Sequence, residues 1–460
     1  MKNLGEKCGV FGVYGKGLDA ARLTFFGLYA LQHRGQESSG IASSDGEKIY
    51  SHKKNGLVSQ VFNEVVIEGL LGSMAIGHNR YSTSSGTGEE HAQPIEVSDG
   101  SIVLAHNGNL PSVTLLIEFL KEKEVYLEGA SDSTLITQAL HQLTIEGRDI
   151  ESAIEEIFPL LTGSFSILIM TKDKLIAIRD SFGIRPLSLG KLNGGYVFAS
   201  ETCAFHPIGA THIRDVNPGE MVVLSEEKLT SKQIMPANQK LDIFEFVYFS
   251  RPDSNLMGQS VYEVRKRFGE HLAKEFPISA DVVIPVPETA IPVAIGYANA
   301  AGIPFEMGLI KSRYIHRTFI EPEQHIREQG VKLKLTPLES AIKGKRIVII
   351  DDSIVRGTTS KQIVRMVFEA GAKEVHFLSS SPPVKFPDFY GIDLPRQNDL
   401  LASNKSVEEM NAYLGSTSLN FLSYEGMIAA TDLPASSFCA ACFTGVYPID
   451  IKERMKEVEY

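Results

Sequence analysis

Two segments of the chain carry residue types that do chemistry, and they lie far apart. One is Cys8-Gly9-Val10-Phe11-Gly12, a thiol directly ahead of a short apolar run. The other is Ile347-Val348-Ile349-Ile350-Asp351-Asp352-Ser353-Ile354-Val355-Arg356-Gly357-Thr358-Thr359. There, four β-branched residues after Arg346 predict a fully buried parallel strand, and two aspartates and a Gly-Thr-Thr turn put polar groups at its carboxyl end. Beyond Thr358, the residues Ile363, Met366, Val367 and Ala370 recur at helical spacing and Gly371 supplies the stop, so the turn opens a helix. Unpaired N–H groups and the helix dipole at such a terminus favour phosphate, with the Thr358 and Thr359 hydroxyls as extra donors. The paired carboxylates suit ribose hydroxyls or a hard cation such as Mg²⁺. The bland alternative is a strand-loop-helix corner with an N-capping acid, but adjacent aspartates at a buried strand end are costly without a ligand.

Cys8 follows only seven residues, Met1 to Lys7, a leader too short and too polar for a signal peptide. If residues 1–7 are a propeptide, its removal leaves an α-amine that titrates near ~8 within reach of its own thiol, so nucleophile and base share one residue. A lone cysteine is more often an inert small hydrophobe. The company of Cys8 argues otherwise, because polar clusters end several apolar runs: Gln32-His33-Arg34-Gly35-Gln36, Gly77-His78-Asn79-Arg80-Tyr81, Ala105-His106-Asn107-Gly108-Asn109 and Ser131-Asp132-Ser133. Acyl transfer from glutamine needs a cation for the α-carboxylate, an anion for the α-amine and neutral donors for the oxyanion. Arg80, Asp132 and the Asn107 side chain with the Gly108 N–H suit those roles. A surface ion pair at Arg80 and a hairpin turn at Asn107-Gly108 stay open as plainer readings.

The four clusters resemble the glutaminase domain of the class II glutamine amidotransferases, and the Asp351-Asp352 segment resembles the signature of the type I phosphoribosyltransferases, which bind phosphoribosyl pyrophosphate. Residues Arg313-Tyr314, Arg317-Thr318-Phe319 and Arg327-Glu328-Gln329-Gly330 are similar to the flexible loop of the amidophosphoribosyltransferase family. Phe249-Ser250-Arg251-Pro252-Asp253-Ser254, Arg185-Pro186-Leu187 and Gly391-Ile392-Asp393 extend that resemblance over essentially the whole chain. It implies Cys8 as nucleophile, Asn107 and Gly108 as oxyanion donors, and Arg80, Asp132, Arg34 and Gly35 as glutamine-binding. It implies that Asp351, Asp352, Ser353, Arg356, Gly357, Thr358, Thr359, Lys311 and Arg313 bind phosphoribosyl pyrophosphate, with Mg²⁺ on Thr289, Asp351 and Asp352. Thr289 stands in Pro287-Glu288-Thr289, where the family more often has Asp-Ser; carboxylate and hydroxyl are both kept. The implied reaction opens purine synthesis: ammonia from glutamine displaces pyrophosphate at C1, giving phosphoribosylamine, glutamate and pyrophosphate. Feedback by purine nucleotides and a homodimer or homotetramer are also implied. A phosphoribosyl pyrophosphate-binding regulator would have no use for the glutamine clusters, and another class II amidotransferase none for the aspartate pair.

The four cysteines carry the main departure from that family. Many of its members hold an iron-sulfur cluster on the pair matching Cys439 and Cys442 plus two further cysteines. Here those positions are Asp242 and Asp388, hard oxygen ligands that suit such a cluster poorly, so a conventional 4Fe-4S cluster is not expected. A Cys2Asp2 site for Zn²⁺ or an unusual cluster stays open. Cys203 reads as core, and in a reduced compartment Cys439 and Cys442 are not expected to form a structural disulfide.

The elements that must position these groups fall in two domains, since 460 residues exceed what one core usually serves. The boundary is placed near 235, in the polar stretch Ser225 to Lys240, giving residues 8–235 and 236–460. The second half alternates strands at Asp281–Val286, from Phe305, Ile347–Ile350 and Val375–Leu378 with helices such as Ile291–Ala301, a doubly wound parallel α/β sheet. The first half reads as a mixed α and β domain with two or three helices, among them Ala20–Leu31 and Ser131–Leu143; the resemblance makes it a four-layer αββα sandwich of the N-terminal-nucleophile hydrolase kind. With 43% apolar residues and no run long enough to span a bilayer, a cytoplasmic globular protein is expected. A net charge of -11 argues against nucleic acid as a partner. Residues 311–346 oppose that background with nine Lys or Arg to four Glu, which suits closure over a polyphosphate.

Overall fold

Alternating side chains along strand β1 (Gly9–Tyr14) serve two cores at once. In the computed structural model, which describes residues 8–81, 88, 91–127, 129–226, 228–312, 334–392, 394 and 396–458, Phe11 and Val13 face Ala20, Ala21 and Leu28 of helix α1 (Ala20–Ala30). Val10 faces Val103, Ala105 and Leu168 of a second sheet. Helix α1 lies so near that a Cβ on Gly27 would stand 2.4 Å from the Phe11 ring.

β1 is central in a seven-stranded antiparallel sheet whose order is Thr211–Asp215, Ser188–Leu192, Gly195–Ala199, β1, β2 (Met74–Arg80), Ser38–Ser44 and Ile49–Asn55. The facing six-stranded sheet runs Lys228–Gln233, Glu220–Ser225, Lys174–Arg179, β4 (Thr162–Met170), β3 (Val103–Ser112) and Ile95–Glu96. Its outer face is covered by Thr114–Glu122, α2 (Asp132–Ile145) and Ile150–Ile157, with Leu116, Leu140 and Ile154 against Leu104, Ile167 and Ile169. The result is the four-layer αββα sandwich, with more helices than the two or three expected. Short pieces such as Val58–Val61 and Glu64–Glu68 hold too few turns to show a period.

The second half is built on the parallel strands β5 (Val282–Pro285), β6 (Arg346–Asp351), Glu374–Ser379 and Ser418–Phe421, in that order. Ile347 and Ile349 of β6 pack with Ile363 and Val367 of a later helix (Thr358–Glu369), while Val348 and Ile350 face Phe268 of α3 (Val261–Glu275) and Val293 of α4 (Ile291–Ala301). The later helix is α5. Burial on both faces explains why the strand reads as a continuous apolar run.

One expectation needs correction, and two strands were not foreseen. Phe305 makes only a single parallel bridge to Val283, and the next strand, Leu309–Lys311, pairs instead with Leu335–Pro337 in a separate ribbon. Within the polar stretch Ser225–Lys240, Lys228–Gln233 pairs along Glu220–Ser225. It is an exposed edge strand, so it has no apolar face to betray it. Ser418–Phe421 was not anticipated as the fourth strand of the parallel sheet. Leu241–Asp242 pairs in parallel with Phe438–Cys439 inside the second half, and Asp242 N donates across the boundary to Ile184 O at 3.1 Å. Among the described residues no helix is long and apolar enough to cross a membrane.

Candidate active site

Cys8 immediately precedes β1, and the register that pairs Gly9 with Asn79 brings it to the end of β2, where Arg80 sits. Its Sγ lies 3.8 Å from the Tyr81 carbonyl oxygen. Burial pushes the thiol above its ordinary value; Arg80 and Arg34 oppose that rise and Asp132 adds to it. The Arg80 guanidinium is buried at 4% exposure, with Nη1 3.4 Å from Glu37 Oε1. Gly35 lets its loop lie on this strand end, since a Cβ there would meet Asn79 O at 2.7 Å and Arg80 C at 2.8 Å.

Asn107 and Gly108 sit in the middle of β3, opposite Ser166 and Phe165 of β4, which removes the hairpin-turn reading. Glycine is required by close approach: a Cβ at Gly108 would stand 2.1 Å from Ser164 O. The Asn107 amide donates to Ser200 Oγ at 3.4 Å, and that hydroxyl accepts from Val10 N at 2.9 Å, so a residue unnoticed in the sequence couples Asn107 to the nucleophile's strand. Asp132 opens α2 behind its cap Ser131. Its carboxylate accepts from Leu110 N at 3.2 Å and Ser133 N at 2.6 Å, and lies 3.7 Å from His106 Nδ1. The leader, residues 1–7, lies outside the described residues.

Arg34 is placed differently from a substrate clamp. Its guanidinium is enclosed, with Nη1 2.5 Å from Glu201 Oε1, both terminal nitrogens 3.0 Å from the Glu245 oxygens and Nε donating to the Cys8 carbonyl at 3.2 Å. It therefore holds the main chain of Cys8. Glu201 also accepts from Arg251 N at 2.9 Å and Ser254 Oγ at 2.7 Å and contacts His33 Nε2 at 2.7 Å. Burial works against its charge, and His33 and Arg34 more than offset that, so its carboxyl stays well below the ordinary range. Sequence reasoning missed Glu201 and Glu245; a lone acid inside Phe244-Glu245-Phe246-Val247 was the available signal.

In the second half, Asp351 ends β6 and Asp352 follows it. Val286 N donates to Ile350 O at 2.8 Å, so the Pro287–Ala290 loop leaves β5 at the same end of the sheet, carrying a half-buried Thr289. That end is where open α/β sheets take ligands. Both carboxyls are pushed up, Asp351 well above its ordinary value by burial and then by the Asp352 charge, Asp352 to about 6 chiefly by burial. Ser353 Oγ donates to Asp352 at 2.9 Å. Behind the pair, Arg265 of α3 donates to Phe246 O and Ser250 O at 2.8 Å each. Burial lowers its guanidinium to about 10, against the pull of Asp352. Gly357, at φ +71, turns the chain into α5, whose first turn carries Thr358 and Thr359 at the end of the sheet where Asp351 and Asp352 lie. Arg356 stands 3.9 Å from Asp399 Oδ2, and Lys311 is exposed with Nζ 4.0 Å from Glu288 Oε2. Arg313 and the rest of the basic segment to 333 lie outside the described residues.

A pair of acids at the end of a parallel strand and a thiol near Arg80 and Asp132, on one chain, have the makings of a two-part enzyme that joins amide cleavage to phosphoribosyl chemistry. Residues 78–207 match the family described as glutamine amidotransferase domain, and residues 257–380 the family described as phosphoribosyl transferase domain. The amidophosphoribosyltransferase of Synechococcus elongatus is 48% identical over 98% of this chain and 93% of its own length, and that of Bacillus subtilis 45% over 98% and 96%. The solved B. subtilis glutamine phosphoribosylpyrophosphate amidotransferase, complexed with ADP and GMP, superposes with a TM-score of 0.90 at 44% identity, covering 97% of this chain and 98% of that one. The chain belongs to the amidophosphoribosyltransferases, glutamine-dependent pentosyltransferases of purine biosynthesis.

Proposed function

We propose that residues 8–235 release ammonia from glutamine and residues 236–460 use it to displace pyrophosphate from phosphoribosyl pyrophosphate. The mature chain begins at Cys8, whose α-amine takes the thiol proton. The thiolate attacks the side-chain amide, the Asn107 amide and Gly108 N–H receive the oxyanion, and Arg80 and Asp132 hold the substrate's α-carboxylate and α-amine. Ammonia leaves, water hydrolyses the thioester to glutamate, and ammonia attacks C1 as the C1–pyrophosphate bond breaks. Ser353 and the first-turn amides at Thr358 and Thr359 take the 5-phosphate, Arg356 and Lys311 add cationic character, and Arg313 belongs to the segment that closes over pyrophosphate.

The single observation that carries this reading is the placing of two adjacent carboxyls, the buried Asp351 and the half-buried Asp352, at the end of β6 ahead of the N-terminus of α5. Such a pair is relieved by a cation or ribose hydroxyls, and with Thr289 it fits Mg²⁺, which takes one or two carboxylates and completes its shell with substrate phosphates. Bound there, Mg²⁺ would neutralise charge on the departing pyrophosphate. The protein acts in the cytoplasm as a homodimer or homotetramer, and purine nucleotides inhibit it, in keeping with the relative solved with ADP and GMP.

Glutamate and pyrophosphate release, followed in parallel with and without phosphoribosyl pyrophosphate and Mg²⁺, tests the coupling. Equal, interdependent release is expected; glutamate without pyrophosphate would assign the glutaminase to another acceptor. Intact mass of active enzyme is expected to begin at Cys8, and a retained leader would overturn the maturation step.

A further inference from the structure

The four groups at the expected cluster position do not fit a metal centre. Asp388 Oδ1 already accepts from Tyr390 N and Ile392 N at 2.8 Å each, and Asp242 Oδ1 from Phe244 N at 3.0 Å. The Arg185 guanidinium reaches in, 3.1 Å from Asp242 Oδ2 and 3.8 Å from Asp388 Oδ1. Among the described residues no three His, Cys, Asp or Glu side chains are grouped to hold a metal ion.

What these groups hold is a peptide loop. Arg185 Nε and Nη2 donate to the Tyr390 carbonyl at 2.8 and 2.6 Å, and Ser164 Oγ donates to the same oxygen at 2.6 Å. The Tyr390 hydroxyl donates to Ile449 O at 2.5 Å and accepts from Ile449 N at 3.1 Å. So fixed, the loop lies on β3. Asn109 Nδ2 donates to Phe389 O at 2.8 Å, and Gly391, at φ +107, approaches until a Cβ there would be 3.4 Å from the Gly108 carbonyl carbon. Gly108 is thereby held between Ser164 of its own sheet and Gly391 of the other half. Oxyanion donors act only when held within about 0.5 Å of the productive geometry.

We propose that Asp388, Arg185 and Tyr390 form a metal-free clamp that positions the Asn107–Gly108 segment, so that the C-terminal half sets the geometry of the glutaminase. The clamp rests on the reading of Asn107 and Gly108 as the oxyanion donors. Its residues are positioning residues, and Asp388 is the one whose removal frees two main-chain N–H groups at once.

The test uses the full-length enzyme and its Asp388→Ala, Asp388→Asn and Asn107→Ala variants, with glutamine-dependent and ammonia-dependent phosphoribosylamine formation, the glutamine KM and the iron and zinc contents measured for each. Asp388→Ala is expected to lower the glutamine-dependent kcat about 30-fold or more, with the ammonia-dependent rate and the glutamine KM changed less than about 3-fold. Asp388→Asn, which keeps an acceptor for both N–H groups, is expected to restore kcat to within about 3-fold of the parent. If Asn107→Ala is inactive with glutamine while Asp388→Ala retains full kcat, the clamp is wrong and the oxyanion reading survives. If Asn107→Ala keeps full glutaminase activity, both fall together. Parallel loss of both activities in Asp388→Ala, without rescue by Asn, overturns the proposal in favour of a general structural role, and stoichiometric metal lost on changing Asp388 overturns its metal-free character.

Discussion

Arg34 and Glu245 meet fork to fork, Nη1 to Oε2 and Nη2 to Oε1 both at 3.0 Å, with neither side chain more than 1% exposed. One comes from the helical turn after Gln32 and the other from the π-helical turn Glu245–Phe249, 211 residues later. Arg34 also bonds the Cys8 carbonyl, so the second half of the chain supports the nucleophile through a single guanidinium.

Replacing Glu245 by Gln leaves Arg34 with one carboxylate in place of two. Breaking a buried pair costs about 3 kcal/mol or more. Denaturant unfolding should show that loss, and at temperatures where the variant stays folded the glutamine-dependent rate should fall more than the ammonia-dependent one.

Cys8→Ala should abolish glutamate release while leaving phosphoribosylamine formation from ammonium salts at mildly alkaline pH. Steady-state assays with each nitrogen donor decide it, and loss of both activities would mean that Cys8 is structural.

Gly108→Ala sets a methyl carbon 2.1 Å from the Ser164 carbonyl oxygen, which only backbone movement can relieve. Overpacking of this kind costs about 1–3 kcal/mol. The same shift displaces an oxyanion donor, so kcat for glutamine should drop about 10²-fold or more in the assay that reads the stability loss least.

At the other site the expected signs are opposed. Asp351→Asn relieves a buried carboxyl that lies beside a second one, so thermal melting of the ligand-free protein should rise by the equivalent of about 1 kcal/mol. Binding of phosphoribosyl pyrophosphate with Mg²⁺, followed by calorimetry, should weaken about 100-fold.

His78 supplies a pH dependence. It is fully buried on β2, Nε2 3.0 Å from the His106 carbonyl oxygen, and burial lowers its pKa from 6.5 to about 3. Between those values the unfolded chain takes a proton that the folded chain refuses, so this contribution to stability is present above pH 6.5 and is lost as pH falls toward 3. The loss amounts to on the order of 5 kcal/mol, at about 1.4 kcal/mol per unit. His78→Gln should flatten the fall in unfolding free energy between pH 6 and 4 relative to the parent, and an unchanged slope would remove His78 as its source.

Much of the site was legible because each part sits at the end of an element with its own pattern. Ile347–Ile350 announced a strand end at Asp351, the helix at Ile291–Ala301 was anticipated residue for residue, and the helix expected over Ser131–Leu143 is found at Asp132–Ile145. What escaped were relations between distant segments. The Arg34, Glu201 and Glu245 cluster draws on three separate stretches and leaves no period in any of them. A hairpin turn stayed open at Asn107-Gly108 because glycine serves both a turn and a close strand approach, and only the neighbour at Ser164 tells them apart. Lys228–Gln233 was invisible as an edge strand because solvent, not a core, faces its side chains.

Position in the chain gives the Tyr390 anchor a temporal meaning. A ribosome makes the nucleophile's strand first, then β2 and β3, then Glu245, then the loop at Asp388–Ile392, and last the main chain of Ile449 that grips the Tyr390 hydroxyl. A nascent chain thus carries its thiol through much of its synthesis before Glu245 and the Tyr390 anchor, the supports drawn from the second half, have been made.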